Sequence, residues 1–315
     1  RGLFEKALKN YHQALKHNPN YTEVKSNIVM LLTNYEPSKD YIHPIKNADE
    51  KIRHLNFRKK NQRKLSDNSA AKIISEASEI VNSYDLNINV SYSQIFRQNM
   101  IDLNCKRHMD IFKESQIIPR FCFNCYKVQI KPRSVIELIK LFAILDNLKL
   151  RKNNARKCMI DLRSEVSGFY KSFIYCSSIK QANVISERVK SIIGQKIGLG
   201  IPVEVKRGCS EYALTFPEYK EINYSGPQLM SYNETWKSIE ETYDAKHKNK
   251  KNSIPFPIRP GLSLNDILII RNWLDYARGL GDRSADLIKT KSVFSEKYYN
   301  VAKARAKKYS FHNLY

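Results

Sequence analysis

The sequence predicts an α+β protein, with helices toward both ends and between them a run of strands and helices in the order βαββαβ. Three observations predict it. Apolar residues recur at helical spacing from Leu3 to Leu15 and from Ile267 to Ala277, short alternating segments lie between Tyr126 and Val205, and capping signals such as Ser134-Val135-Ile136-Glu137 mark where helices open. The expected parts are a helical hairpin over 1–34, a basic linker over 35–67, a helical segment over 68–125, the mixed domain over 126–217 and a helical region over 218–315.

Composition narrows the class. The 315 residues include 54 Lys and Arg against 31 Asp and Glu, a formal net charge of +23. A hydrophobic content of 42% suffices for packed cores and excludes wholesale disorder. No apolar run approaches the roughly 18–20 residues that cross a bilayer, and Arg1-Gly2-Leu3-Phe4-Glu5 is no secretory signal, so a protein without a membrane span is expected. Six cysteines are too few for a disulfide scaffold; reduced thiols or a metal site, and with them a cytoplasmic location, are the expectation. The charge excess has two readings, a polyanionic partner or lysines solvated on ordinary surfaces.

Phe4, Ala7, Leu8, Tyr11, Ala14 and Leu15 share one stripe of a first helix, which Asn18-Pro19-Asn20 ends. Val24, Ile28, Val29 and Leu32 form the stripe of a second, from Tyr21 to Leu32. The pattern Gly2-x-Phe4-x-x-Ala7-Leu8-x-x-Tyr11-x-x-Ala14-Leu15-x-x-Asn18-Pro19 resembles the tetratricopeptide repeat (TPR), over residues 2–33. A repeat cannot bury its apolar face alone, so the resemblance implies further repeats before Arg1 and a protein partner on the array. An unrelated helical hairpin is the alternative.

From Glu36 to Ser66 the periodicity fades. Lys51, Arg53, Arg58, Lys59, Lys60, Arg63 and Lys64 crowd an acid-free stretch with His54 and Phe57 among them, which reads as a nucleic-acid-binding arm or as a solvated linker. Ser69 to Tyr84, with Ile73, Ile74, Ala77, Ile80 and Val81 on one face, and then Ser93 to Glu114 are expected to be helical.

Cys105-Lys106-Arg107-His108, thirteen intervening residues and Cys122-Phe123-Asn124-Cys125 give the spacing C-x2-H-x13-C-x2-C. Two ligands separated by two residues can hold one ion, and the loop between the pairs is long enough to close a tetrahedron. Cys105, His108, Cys122 and Cys125 are therefore candidate ligands of a structural zinc ion. Buried thiols beside a surface histidine are the competing reading.

The mixed domain opens with the strand Tyr126 to Ile130. A helix follows from Ser134 through Leu148, then strands over Cys158–Arg163 and Phe169–Cys176, a helix over Ser178–Ile193, and a last strand from Val203 toward Phe216 with a break near Gly208. Short connections and right-handed crossovers make this a ferredoxin-like arrangement, four antiparallel strands with both helices on one face. Alternation puts Val128, Ile130, Ile160, Leu162, Ile174, Val203 and Val205 on the helix side. Lys127, Gln129, Asp161, Arg163, Lys171, Phe173, Tyr175, Glu204 and Lys206 fall on the open side. The strand Lys171-Ser172-Phe173-Ile174-Tyr175-Cys176, running into Ser177-Ser178-Ile179-Lys180-Gln181-Ala182, is similar in topology to the third strand and second helix of the RNA-recognition motif. That resemblance implies base stacking at Phe173, although Lys171, Lys127 and Gln129 stand where that family often has aromatics. Lys127, Arg163, Lys171, Phe173, Tyr175 and Lys206 are the candidate nucleic-acid-binding residues. In the alternative, the open face packs against neighbouring helices.

Residues Pro217 to Pro260 read as irregular, with a short helix carrying Trp236 and Tyr243. Ser263 caps a helix that stops at Gly279, and a basic helix spans Ser284 to Tyr309. No phosphate loop, nucleophile elbow or paired-histidine helix is visible, and no catalytic residue is assigned. Asp161, Arg163 and Glu165 form an acid–base cluster or, more simply, an ion-pair network. The sequence thus points to a TPR-containing protein whose basic domain engages RNA or another polyanion and is supported by zinc. A transferase acting on sugar or phosphate substrates, with the repeats as scaffold, and a purely protein-binding scaffold are the alternatives.

Overall fold

The computed structural model describes residues 2–55, 64–86, 88–97, 105–152, 154–247, 258–290 and 295–309. The chain begins with four helices, α1 (Gly2–His17), α2 (Thr22–Asn34), α3 (Pro44–His54) and α4 (Asp67–Ser83). The first two match the expected hairpin. The third falls inside the stretch expected to be linker: Pro44 opens it, His43 caps it by accepting from the Ile45 amide, and Ile45, Ala48 and Ile52 are buried at helical spacing. Residues 56–63 of the basic run lie outside the described set.

Next come β1 (Gln94–Arg97), α5 (Cys105–Ser115) and a single turn, α6 (Arg120–Phe123). Helix was expected throughout Ser93–Glu114, but Ile95 and Arg97 alternate inward with Gln94 and Phe96, so the segment joins the sheet as a strand. The mixed domain then runs β2 (Tyr126–Ile130), α7 (Val135–Asn147), β3 (Arg156–Ile160), β4 (Tyr170–Cys176), α8 (Ile179–Lys196) and β5 (Val203–Arg207). The side chain of Ser134 accepts from the Glu137 amide at 3.3 Å and Ser178 does the same for Gln181, the caps that start α7 and α8. Beyond Arg207 the strand does not resume. A 3-10 turn (Glu211–Leu214) and the short α9 (Pro217–Lys220) take its place.

All five strands are antiparallel, in the order β1-β3-β4-β2-β5. The protein is α+β. Register sets Val128 beside Ile174 and Val205, so one side of the sheet is apolar and carries α7 over β3 and β4, and α8 over β2 and β5. The other side presents Lys157, Phe173, Gln129 and Glu204 in one cross-strand row and Tyr175, Lys127 and Lys206 in the next.

After α10 (Lys237–Lys246), α11 (Leu264–Leu280) runs through the middle of the molecule and α12 (Glu296–Tyr309) lies along it. Fifteen of the seventeen residues of α11 are buried, against α2, α3, α4, α7, β1 and β3. Arg97 ties the layers together: its guanidinium is shared by Asp146 of α7 and Asp266 of α11 at 2.5 and 2.6 Å. Arg156, fully buried, closes the end of α7 by donating to the carbonyls of Leu145 and Leu148 at 2.6 Å each. No helix among the described residues is long and apolar enough to cross a membrane.

Candidate functional site

The polar side of the sheet is not a flat platform. Phe173, at its centre, is 6% exposed, with the Lys127 ammonium 5.0 Å and the Lys157 ammonium 5.6 Å from its ring centroid. Lys157 also stands 5.6 Å from the Phe96 ring and donates to Gln94 Oε1 at 3.1 Å. An incoming base needs a free ring face, and Phe173 has its ring occupied by cations instead. Burial lowers the Lys127 ammonium, and burial together with the charges of Lys127 and Arg163 brings Lys157 down to about 8.

The far end of this face is fixed by Asp161, the residue after β3. Its carboxylate is fully buried and takes hydrogen bonds from Lys171 Nζ at 2.7 Å, Arg163 Nη2 at 2.8 Å and Arg163 Nε at 3.0 Å. Burial alone would raise this carboxyl; the donations from Arg163 and Lys171 outweigh it and hold Asp161 down to about 2. Both oxygens are engaged by cations, and Glu165 is exposed, so these residues form an ion-pair network rather than an acid–base couple.

Residues 209–211 and 220–224 contribute one side of a half-open pocket of about 370 Å³ on the polar side of the sheet. Lys127, Lys131, Arg163, Lys171, Lys206, Arg207 and Lys220 line it, with Phe173 on the floor; Glu211 and Glu221 are its lining carboxylates. Asp161 and Glu204 stand against its wall, the latter 3.0 Å from Lys131 and 3.4 Å from Lys206. Seven cations against those four acids leave an excess of three positive charges. Among the described residues no carboxylate lies within ion-pair distance of Lys127 or Lys220. Arg207, 4% exposed, sits between the rings of Tyr126 and Tyr219, donates to the Phe123 carbonyl at 2.6 Å, and has its Nε buried without a hydrogen-bond partner.

Five of the six predicted binding residues, Lys127, Arg163, Lys171, Phe173 and Lys206, line this one pocket. Tyr175 does not; it is half-buried, and burial pushes its phenol up. Sequence reading missed Lys131, Arg207 and Lys220. Alternation in β3 carries the signal for Lys157, which shares the face of Met159 and Asp161. Nothing in the sequence marks the return of residues 208–224 over the sheet.

Of the four zinc candidates, Cys105, Cys122 and Cys125 lie within electrostatic reach of one another near the start of β2. Cys105 opens α5 and is exposed; His108, one turn on, is buried with its ring stacked on Phe121 at 5.2 Å. Cys122 Sγ is 3.4 Å from Tyr212 Oη, and Cys125 abuts β2. As placed, no group of three or more His, Cys, Asp or Glu side chains among the described residues is arranged to hold a metal ion. Burial pushes the Cys122 thiol up, Cys125 to about 11 and Cys209 to about 12, which keeps them protonated and inert at neutral pH. Cys209, outside the predicted set, is within electrostatic reach of Cys122, Cys125 and Cys105.

Comparison of this chain with protein-family models, curated proteins and solved structures finds no match.

Proposed function

We propose that this chain is a binding protein whose ferredoxin-like domain takes an anionic group of RNA, or of another phosphate-bearing polyanion, into the basic pocket on its sheet. The observation that carries the reading is the pocket's surplus of three positive charges, with Lys127 held half-buried and unpaired by any carboxylate among the described residues. A half-buried ammonium without a counterion is costly in the empty protein and gains most when an anion arrives. The strand order β3-β4-β2-β5 with α7 and α8 on one side supports the ferredoxin-like assignment. The α1–α2 hairpin, with Leu8 buried against Ile28 and Leu32 in a common core, supports the TPR-type reading and a protein partner there. The reduced thiols of Cys122, Cys125, Cys158, Cys176 and Cys209 suit the cytoplasm.

Fluorescence anisotropy with a labelled single-stranded RNA tests this. Lys127→Gln combined with Lys206→Gln is expected to weaken binding by about tenfold or more, since each lost charge-assisted contact is worth about 1.5–3 kcal/mol. Equal affinity in the variant, or no binding by the wild type, contradicts it.

The pocket's lining also favours a second reading, a transferase acting on a sugar phosphate or other phosphorylated small molecule, because Lys127 and Arg163 converge there as a substrate clamp would. Turnover of a phosphorylated substrate, abolished in Arg163→Gln, separates the two. Zinc support by Cys105, His108, Cys122 and Cys125 is part of the proposal and rests on their spacing in the sequence and on the nearness of the three cysteines, with Cys209 as a further thiol. Elemental analysis of the purified protein and of Cys122→Ser checks it; absence of zinc in both removes it.

A further inference from the structure

We infer that the pocket accepts one terminal nucleotide, its phosphomonoester on Lys127 and Lys206 and its base against Tyr224; this rests on the anion-binding reading above. Three observations lead there. About 370 Å³ lies near the lower end of ligand-pocket sizes, room for one nucleotide rather than a stack of several. The surplus of three positive charges suits a terminal phosphomonoester, which carries about −1.5 to −2 at neutral pH with three acceptor oxygens, better than an internal diester with a single charge.

The third observation is the rim. Phe173 is buried, so base stacking needs another ring, and Tyr224 lines the pocket with 63% of its surface exposed. An exposed tyrosine is unremarkable alone, but the backbone turn that carries this one is fixed. Asn223 donates to the Pro227 carbonyl at 3.0 Å and accepts from the Ser225 amide at 3.1 Å. Gln228 donates to the Asn223 carbonyl at 2.6 Å and accepts from Arg207 Nη2 at 3.2 Å. The turn that carries the ring is thus braced on β5, the strand that supplies Lys206. A ring presented beside a basic floor is the combination that binds a base and its phosphate together.

The same chemistry is offered by a free nucleoside monophosphate and by the phosphorylated end of a strand, and the test separates them. Anisotropy is read with a labelled single-stranded RNA decamer bearing a 5′-phosphate, a 3′-phosphate or neither. Unlabelled AMP and ribose 5-phosphate serve as competitors. One of the phosphorylated decamers is expected to bind about tenfold tighter than the unphosphorylated strand, and AMP to compete better than ribose 5-phosphate. Tyr224→Ala, an exposed substitution, is expected to bring AMP down to the level of ribose 5-phosphate while leaving the melting temperature unchanged. AMP competition without any gain from strand-end phosphate assigns the site to free nucleotides.

Equal binding of all three decamers with no competition by AMP overturns the inference. So does unaltered AMP competition in Tyr224→Ala. If the decamers bind equally and all depend on Lys127, the anion-binding reading survives and only the terminal-nucleotide inference falls. Absence of binding by every probe removes both.

Discussion

Asp161 shows how one carboxylate can build a site without acting in it. It holds Lys171 beneath the pocket and Arg163 at its edge, and all of its hydrogen-bonding capacity is spent on them. With a folded pKa near 2 against 3.8 unperturbed, its contribution to stability is complete above pH 3.8 and is lost as pH falls through about 2. Asp161→Asn should leave Lys171 buried without its counterion and cost about 3–5 kcal/mol, read from urea unfolding at neutral pH. The variant should also lose the acid-linked fall between pH 4 and 2; an unchanged acid profile contradicts the assignment. Lys157 works in the opposite direction. Its folded pKa of about 8 lies below the usual 10.5, so between those values the unfolded chain binds more protons and stability rises with pH. Lys157→Met should therefore be more stable than wild type at neutral pH, by at most about 3 kcal/mol, with the gap closing by pH 10.5. Melting temperatures across that range check it, and a gap that persists at the alkaline end refutes it.

At the scale of elements, glycines show where sequence and structure part. Gly279 reads as the stop of the long C-terminal helix, yet α11 continues to Leu280 and Gly281 is the cap, in the left-handed region at φ 81°. Gly279 serves packing instead: a Cβ there would lie 2.5 Å from the Tyr299 carbonyl oxygen and 2.8 Å from Ala302 Cβ. Gly279→Ala should push α12 off α11 and destabilise by about 1–3 kcal/mol, measured by urea unfolding; Gly281→Ala, with no atom in the way, should cost less unless its positive φ dominates. A silent Gly279→Ala contradicts the close crossing. The strands and helices of the mixed domain were legible because alternation, caps and turns agree locally, and the side chains assigned to each face are confirmed by the register of β2 with β4 and β5. The strand β1 was not legible. Four residues offer too short a pattern, and its place is set by Arg97 meeting Asp146 and Asp266 from distant parts of the chain. Likewise α3 hides in a lysine-rich stretch because its buried face has only Ile45, Ala48 and Ile52, with Lys46 and Asp49 buried beside them.

For the whole molecule, a net charge of +23 suits the anionic partner proposed above and does not by itself say where one would sit. Alternation put Lys127, Arg163, Lys171, Phe173 and Lys206 on one side of the sheet, and these five line one pocket. It could not show that residues 208–224 turn a face into a half-open pocket, since that depends on contacts made by Arg207 with Tyr219 and the Phe123 carbonyl. In the proposed function this shape matters: a flat stacking platform accepts a run of bases, whereas a half-open pocket with three surplus charges suits one anionic group. The most direct test is the dependence of single-stranded RNA affinity on salt. The account predicts a log–log slope of about −1.4 for the two charges of one terminal phosphomonoester, made shallower by about 0.7 in Lys127→Gln. A slope near zero, or one that Lys127→Gln leaves unchanged, would contradict it.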